Sequence, residues 1–361
     1  MWIVAFEPTG PVSRSGLTGD PLFQLNALLW LAQPIPAGGS VEPLLYREGF
    51  KVHALGPALT LPLNVAYALG RAGLATQGSA RPELILKRLE EGEYAIIECK
   101  RSSFGPTSST SEQARVLLAA AGPPCADVLG LPRTHVSTSS LGYLTRDDQR
   151  ARLSDTLRAL SDELRQAGVD PGRSTVVGLK ERDFDIALVV EAGASFCRIP
   201  AGEYPFIRTE PGTDPRPLYL IPYDPDALPQ DESEEVRAKQ QLFERVRVAL
   251  LTRVGQAPVP GSIHFTIPEL LSDATWGLFN IWGAGGSRSH VIDITRAFVR
   301  ALAINVNKSS PKAITSAPDT GWTIALDSTT TQDKVRGRLM RFEFAAKTMK
   351  ALPQASLLPQ D

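Results

Sequence analysis

Arg81-Pro82-Glu83-Leu84-Ile85-Leu86 and, a little further on, Ala95-Ile96-Ile97-Glu98-Cys99-Lys100-Arg101-Ser102-Ser103 are the stretches whose reading decides the fold. Residues 83–89 and 94–101 are two extended runs, and Glu90-Glu91-Gly92-Glu93 between them is turn-like. Two β-rich runs with a short Gly-containing link predict a hairpin. Side chains alternate across a strand, so Ile97 and Cys99 face one way while Ile96, Glu98 and Lys100 face the other. An acid and a lysine therefore point into the same space on a strand that otherwise belongs in a core. Burying such a pair is costly unless a partner or a metal satisfies it. In the hairpin Glu83, at the start of the first run, lies near Glu98. Two carboxylates and one ammonium then converge at one end of a sheet.

Working outward, residues 61–73 (LPLNVAYALGRAG) read as a short helix ending at Gly73. A polar loop over 102–110 follows the hairpin. Ser111 caps a helix over 112–121, Pro123-Pro124 ends it, and 126–131 (ADVLGL) fits a short strand. Leu153, Leu157, Leu160 and Leu164 recur at helical spacing, so 148–167 is an amphipathic helix. Residues 176–179 and 185–190 read as strands around a charged turn. Residues 1–60, rich in Pro and Gly with short apolar runs such as 27–32, read as strands and turns. The Pro-rich stretch 200–230 reads as irregular, with 218–221 a candidate strand. A helix over 231–254 opens on Asp231, Glu232, Glu234 and Glu235 and closes on Arg253, an order that suits the helix dipole. Its apolar face is Val236, Phe243, Val246 and Leu250. A further helix is expected over 291–304, and the last ten residues read as frayed. The fold class expected is α/β, a mixed central sheet flanked by helices, with an additional α+β C-terminal region. Composition and elements divide the chain into 1–135, with its core at about 60–130, then a helix and strand extension over 136–200, and a C-terminal domain over 201–361.

Phosphodiester cleavage needs the kind of set that 83, 98 and 100 supply. Hard oxygen ligands hold Mg²⁺, which keeps several waters and binds substrate phosphate. The metal acidifies a bound water and neutralises developing charge, and a nearby lysine orients the water or stabilises the transition state. On these residues the segment resembles the PD-(D/E)xK nuclease superfamily, which has the restriction-endonuclease-like fold. Pro82-Glu83 stands where that pattern has Pro-Asp, and Glu98-Cys99-Lys100 stands where it has (Asp/Glu)-x-Lys. The resemblance covers about residues 60–130. It implies Glu83 and Glu98 as ligands of Mg²⁺ or Mn²⁺, the Cys99 backbone carbonyl as a further ligand, and Lys100 as the catalytic lysine. Gln113 occupies a position comparable to a Gln that some exonuclease-like members carry on the next helix. The Tyr that often follows is Leu117 here, and Glu83 is one methylene longer than Asp. Some members use an acid on the helix before the hairpin. The 61–73 helix has none, and Glu48 is the nearest upstream candidate. Such folds commonly serve restriction, repair or anti-phage defence, so DNA is the expected substrate, with RNA as the other nucleic acid.

The rest of the chain narrows the classes. Hydrophobic residues are 43% and charged residues 21% of the sequence, ordinary for a soluble globular protein. Cys99, Cys125 and Cys197 are odd in number and widely spaced, which argues against disulfides, and no CxxC pair supports structural zinc. The four histidines lie far apart. There is no basic n-region with an apolar run at the start and no run of about 18 apolar residues, so neither a secretory signal nor a membrane span is expected. The cytoplasm is the default location. A net charge of −1 argues against non-specific binding over the whole surface, since phosphate neutralisation supplies much of that affinity. It fits a local basic cleft, or a protein partner or second copy that holds the nucleic acid or restrains the enzyme.

Other features carry two readings each. Arg101 and Arg115 flank the proposed site and could neutralise phosphate, or be ordinary surface arginines. Ser102 and Ser103, with Ser108 and Ser109, could hydrogen-bond phosphates or simply make a polar loop. Gly283 to Ser289 (GAGGSRS) lacks a Gly-Lys-Ser/Thr ending and GxGxxG spacing, so a flexible turn is the simpler reading, and phosphate contact by Arg288 the other. Trp276, Phe279 and Trp282 read as a buried cluster or a partner face, with stacking on bases as the other reading. Arg237, Arg245 and Arg247, balanced by Glu234, Glu235 and Glu244, read as a solvated helix face. Two functional alternatives stand beside a nuclease: a non-catalytic nuclease-like scaffold subunit, and a nucleotide-binding regulator using the 283–289 loop.

Overall fold

Leu84–Arg88 and Glu93–Cys99 form an antiparallel hairpin, Leu84 opposite Ile97 and Arg88 opposite Glu93. The structure, a computed structural model, describes residues 14–33, 41–88, 90–208, 219–229, 231–283, 286–317, 321–344, 349–350 and 352. Its chain forms two compact units, Met1–Tyr219 and Leu220–Asp361.

The first unit is built on a seven-stranded mixed sheet. In chain order its strands are β1 (Phe50–Leu55), β2 (Leu84–Arg88), β3 (Glu93–Cys99), β4 (Thr138–Arg146), β5 (Arg173–Glu181), β6 (Asp185–Phe196) and β7 (Ile199–Arg208). Neighbours in sequence are neighbours in the sheet. The pairs β3–β4 and β4–β5 are parallel and the rest antiparallel. A parallel pair needs a crossover, and each has a helix. Ser109–Ala120 (α3) links β3 to β4, and Asp147–Gln166 (α4) links β4 to β5. Ser108 Oγ caps α3 by accepting from the Ser111 N–H. The leucines at helical spacing in α4 are all buried, in one core with Tyr94, Ile96 and Tyr143 of the sheet and Leu117 and Leu118 of α3. Each such leucine stabilises the fold by about 1.5–3 kcal/mol. The sheet curls until the segment before β1 meets β7, where Val41 bridges Ile207 and the Glu42 N–H donates to Phe206 O.

The opposite face is filled by α1 (Pro21–Ala32), which touches β1 and β3 and is buried from Phe23 to Ala32. Strands and turns were expected there. The segment is apolar on every side, so it has no amphipathic period to betray a helix, and a helix of that kind belongs inside a fold. Asp20 caps it through the Leu22 N–H, with Pro21 at its start. The expected 61–73 helix is α2 (Leu63–Arg71). The expected strand over 126–131 is instead a single helical turn, Cys125–Val128, closed by Gly130 at φ +65. Residues 219–221 belong to no strand, and residue 218 lies outside the described residues, as do nearly all of the last ten. Position 201 falls inside β7.

In the second unit the expected helix over 231–254 is α5 (Glu232–Gln256), capped by Asp231. A three-stranded antiparallel sheet of β8 (Gly261–Phe265), β10 (Gly321–Leu326) and β9 (Ile314–Ala317), in that spatial order, accompanies α6 (Ile267–Ala274), α7 (Gly286–Asn307) and α8 (Thr329–Arg341). Thr266 and Glu269 make a reciprocal capping box on α6. The face of α5 expected to be solvated is partly inside: Glu235, Lys239 and Arg245 are buried, while Val236 is only half-buried. Charge balance along the sequence did not reveal this: Glu235 pairs with Lys239 one turn on, but it also meets His290, 55 residues away in the chain. Glu235 Oε1 lies 2.9 Å from His290 Nε2 and 3.3 Å from Lys239 Nζ. Of the glycine-rich loop, residues 284–285 lie outside the described residues, and Gly286 already begins α7.

Candidate functional site

Glu98 is the penultimate residue of β3 and is 2% exposed. Lys100, just beyond the strand end, returns its ammonium to Glu98 Oε1 at 2.6 Å. Gln113, one turn into α3, closes the set. Its Oε1 accepts from Lys100 Nζ at 3.3 Å, and its Nε2 donates to Glu98 Oε1 and to the Arg81 carbonyl, each at 3.2 Å. One step along the register beyond Leu84–Ile97 places Glu83 opposite Glu98. The side chains at 98, 100 and 113 are thus brought together, with Glu83 just before the start of the neighbouring strand.

The charges are coupled. Burial pulls the Lys100 ammonium toward a lower pKa, but Glu98, then Glu83 and Cys99, outweigh it and leave the group above its ordinary value. Lys100 is therefore an ammonium at neutral pH, a donor of charge and hydrogen bonds rather than a proton acceptor. Tyr143 of β4 sits beside Glu98 in the parallel register and is wholly buried. Burial, and then the Glu98 carboxylate, push its phenol well above the usual range, so it too stays protonated.

Two contributors escaped the sequence reading. Tyr143 carries no local motif. Gln24 of α1, fully buried, donates from Nε2 to the Thr18 carbonyl at 2.8 Å and to the Lys100 carbonyl at 3.2 Å, fixing the backbone beyond β3. A polar residue inside the apolar run 21–32 was the only signal for it. Glu48 lies elsewhere: it ends the short helix Leu44–Arg47, is exposed, and its carbonyl accepts from Arg88, at the turn end of the hairpin.

The flanking residues divide. Arg101 and Ser102 are exposed next to Lys100. Ser103 is partly committed, its N–H and Oγ donating to Gln149 Oε1 at 3.4 and 3.0 Å. Arg115 does not flank the site as a phosphate contact. It is buried and holds Glu163 of α4 at 2.8–2.9 Å, the Leu74 and Pro106 carbonyls and Ser111 Oγ. Its position on the inward face of α3 turns it toward the core. Arg288 likewise donates to the Trp282 carbonyl and stacks on Phe279 at 4.5 Å.

Among the described residues no group of three or more His, Cys, Asp or Glu side chains is placed to hold a metal. The oxygen set at the strand ends is two carboxylates, Glu83 and Glu98, with the Cys99 main chain between Glu98 and Lys100. One or two carboxylates are what Mg²⁺ ordinarily takes, since it keeps several waters. The donors therefore fit such an ion in kind; the buried Cys99 thiol, a soft ligand, does not.

Fold and site together define a mixed α/β protein with a carboxylate–lysine–glutamine cluster at the end of its central hairpin. The chain matches no family model, no curated protein and no solved structure. Among the described residues no helix is long and apolar enough to cross a membrane.

Proposed function

We propose that this chain is a metal-dependent nuclease that hydrolyses phosphodiester bonds of DNA. The observation that supports it most is the closed set of hydrogen bonds among Glu98, Lys100 and Gln113 beside Glu83. Glu83, Glu98 and the Cys99 carbonyl would hold Mg²⁺ or Mn²⁺, which supplies Lewis acidity toward phosphate and makes water more acidic. Lys100, protonated throughout the neutral range, directs its charge at the oxygens that become negative during displacement. Gln113 holds Lys100 and Glu98 at fixed separation. Gln24 steadies the Lys100 main chain from the other side. Arg101 and Ser102, exposed beside Lys100, would be available to phosphates of the strand, and Ser103 would have to leave Gln149 to join them. The near-neutral net charge favours a protein partner or a second copy that helps hold the nucleic acid.

A second reading has one observation in its favour. Lys100 Nζ and Gln113 Nε2 both hydrogen-bond Glu98 Oε1, a pairing that equally suits a nuclease-like subunit that binds nucleic acid or a partner and does not cut. Incubating the purified protein with supercoiled plasmid, single-stranded DNA and single-stranded RNA separates the two. Cleavage of DNA that needs Mg²⁺ or Mn²⁺ and stops with a chelator supports the nuclease. Cleavage of RNA alone moves the substrate. Binding without cleavage in either metal, with the natural partner added, supports the scaffold.

A further inference from the structure

Arg245, at the middle of α5, is 3% exposed, and among the described residues no carboxylate pairs with it. Burial alone pulls its guanidinium down to about 9. Its Nη1 donates to the Ala274 carbonyl at the end of α6, at 3.4 Å, a fitting place for a cation. That contact leaves the other edge unexplained. Nε and Nη2 are both buried, and among the described residues neither has a hydrogen-bond partner. These two N–H groups lie side by side on one edge of the guanidinium, the fork that matches two oxygens of a carboxylate or phosphate. Arg115, the other buried arginine among the described residues, uses its fork, spending Nε and Nη2 on Glu163. The plane of Arg245 is covered by the Trp276 indole, 4.6 Å from its centre. Trp276 is itself 42% exposed, so the ring over the guanidinium borders solvent. It stands at φ +51, followed by Gly277 at φ +85, a turn in which a bulky residue is held against its preference.

We propose that the Arg245 fork beneath Trp276 is a binding site for a small oxyanion, a carboxylate or phosphate group presenting two oxygens, admitted when the indole shifts. A buried guanidinium with two idle donors is costly in the free protein, and an oxyanion relieves both the charge and the donors. The site belongs to the second unit and is independent of the Glu98 cluster.

The test is thermal unfolding of the full chain in rising inorganic phosphate, acetate or adenosine monophosphate, against sodium chloride at matched ionic strength. A ligand held by the native state raises Tm in a saturable way. The expected result is a saturable rise with at least one of the three oxyanions and none with chloride; which of them acts separates carboxylate from phosphate, and free from nucleotide-borne phosphate. Arg245→Met should lose the rise while its own Tm in plain buffer is unchanged or higher, because an unpaired buried charge is gone. Arg245→Lys keeps the charge without the fork and should weaken binding at least tenfold; it also serves if the Met variant fails to fold. Trp276→Leu should bind at least as tightly as the wild type. No saturable rise with any oxyanion in the wild type, or the same rise in Arg245→Met or Arg245→Lys, overturns the proposal.

Discussion

Replacing Glu98 by Leu and Lys100 by Met, singly and together, measures how strongly the central pair is coupled. The Glu98 side chain is 3% exposed and that of Lys100 21%, with 2.6 Å between them. Breaking a buried pair by removing one partner costs about 3–5 kcal/mol. Glu98→Leu should fall below that, about 2–3 kcal/mol, because solvent reaches the stranded ammonium and Glu83 remains nearby. Lys100→Met strands the deeper group, and should cost about 2–4 kcal/mol at pH 7. The double variant should lie within about 1 kcal/mol of wild type, because apolar replacement of a buried pair is often neutral. In the wild type Lys100 is raised above its unfolded value, so its contribution is complete below about pH 10.4 and fades as pH rises through the folded value. Urea unfolding of the four proteins gives the coupling directly, provided the slopes agree. Single effects that simply add to the double effect, within about 0.5 kcal/mol, would refute the pair as described.

Three further outcomes follow from particular contacts. Arg115→Leu should lower stability by about 1–3 kcal/mol, chiefly by leaving the Leu74 and Pro106 carbonyls unmet, and leave nucleic-acid affinity unchanged, whereas Arg101→Ala should do the reverse; urea unfolding and a filter-binding titration check both. Burial pushes the Glu235 carboxyl up, but His290 and Lys239 together hold it below the usual range. Its contribution is therefore present above about pH 4.3 and lost as pH falls through the folded value, and Glu235→Gln, which strands buried Lys239, should cost about 3–5 kcal/mol by urea unfolding. Gln24→Leu should cost about 1–3 kcal/mol by leaving the buried Thr18 and half-buried Lys100 carbonyls unmet, and should reduce cleavage while leaving the substrate KM near wild type.

What could be read from the chain depended on whether a segment had two different sides. The hairpin at 84–99 was legible because a Gly-containing turn separates two apolar runs, and strand alternation then placed Glu98 and Lys100 together. The helix at 147–166 was legible because its leucines repeat on one stripe. Pro21–Ala32 was not, since a helix surrounded by protein has no polar stripe to set its period; the Asp20-Pro21 start was the missed cue. Residues 126–131 form a short apolar run of the kind that fits strand or helix equally, and Pro124 just before Cys125 tips it to a helical turn. Gln113 came from the family resemblance, which implies a Gln on the next helix, and its side chain does meet Lys100 and Glu98. Tyr143 and Gln24 join the site through pairings across 45 and 76 residues of chain, which no local pattern encodes. Arg115 was misplaced because sequence proximity to a site says nothing about which face of α3 a side chain leaves.

The central claim is that the Glu98–Lys100 cluster cuts nucleic acid. The direct measurement is cleavage of labelled DNA, with Mg²⁺ and with Mn²⁺, by wild type, Lys100→Ala and Glu98→Ala, each held at a temperature where its melting curve shows it folded. The account predicts cleavage by wild type and a loss of about 10²–10³ or more in rate for Lys100→Ala, with DNA binding retained. It predicts loss of both cleavage and metal binding for Glu98→Ala. Wild-type rates from folded Lys100→Ala protein, or no cleavage by the wild type with either metal and its partner present, would contradict it.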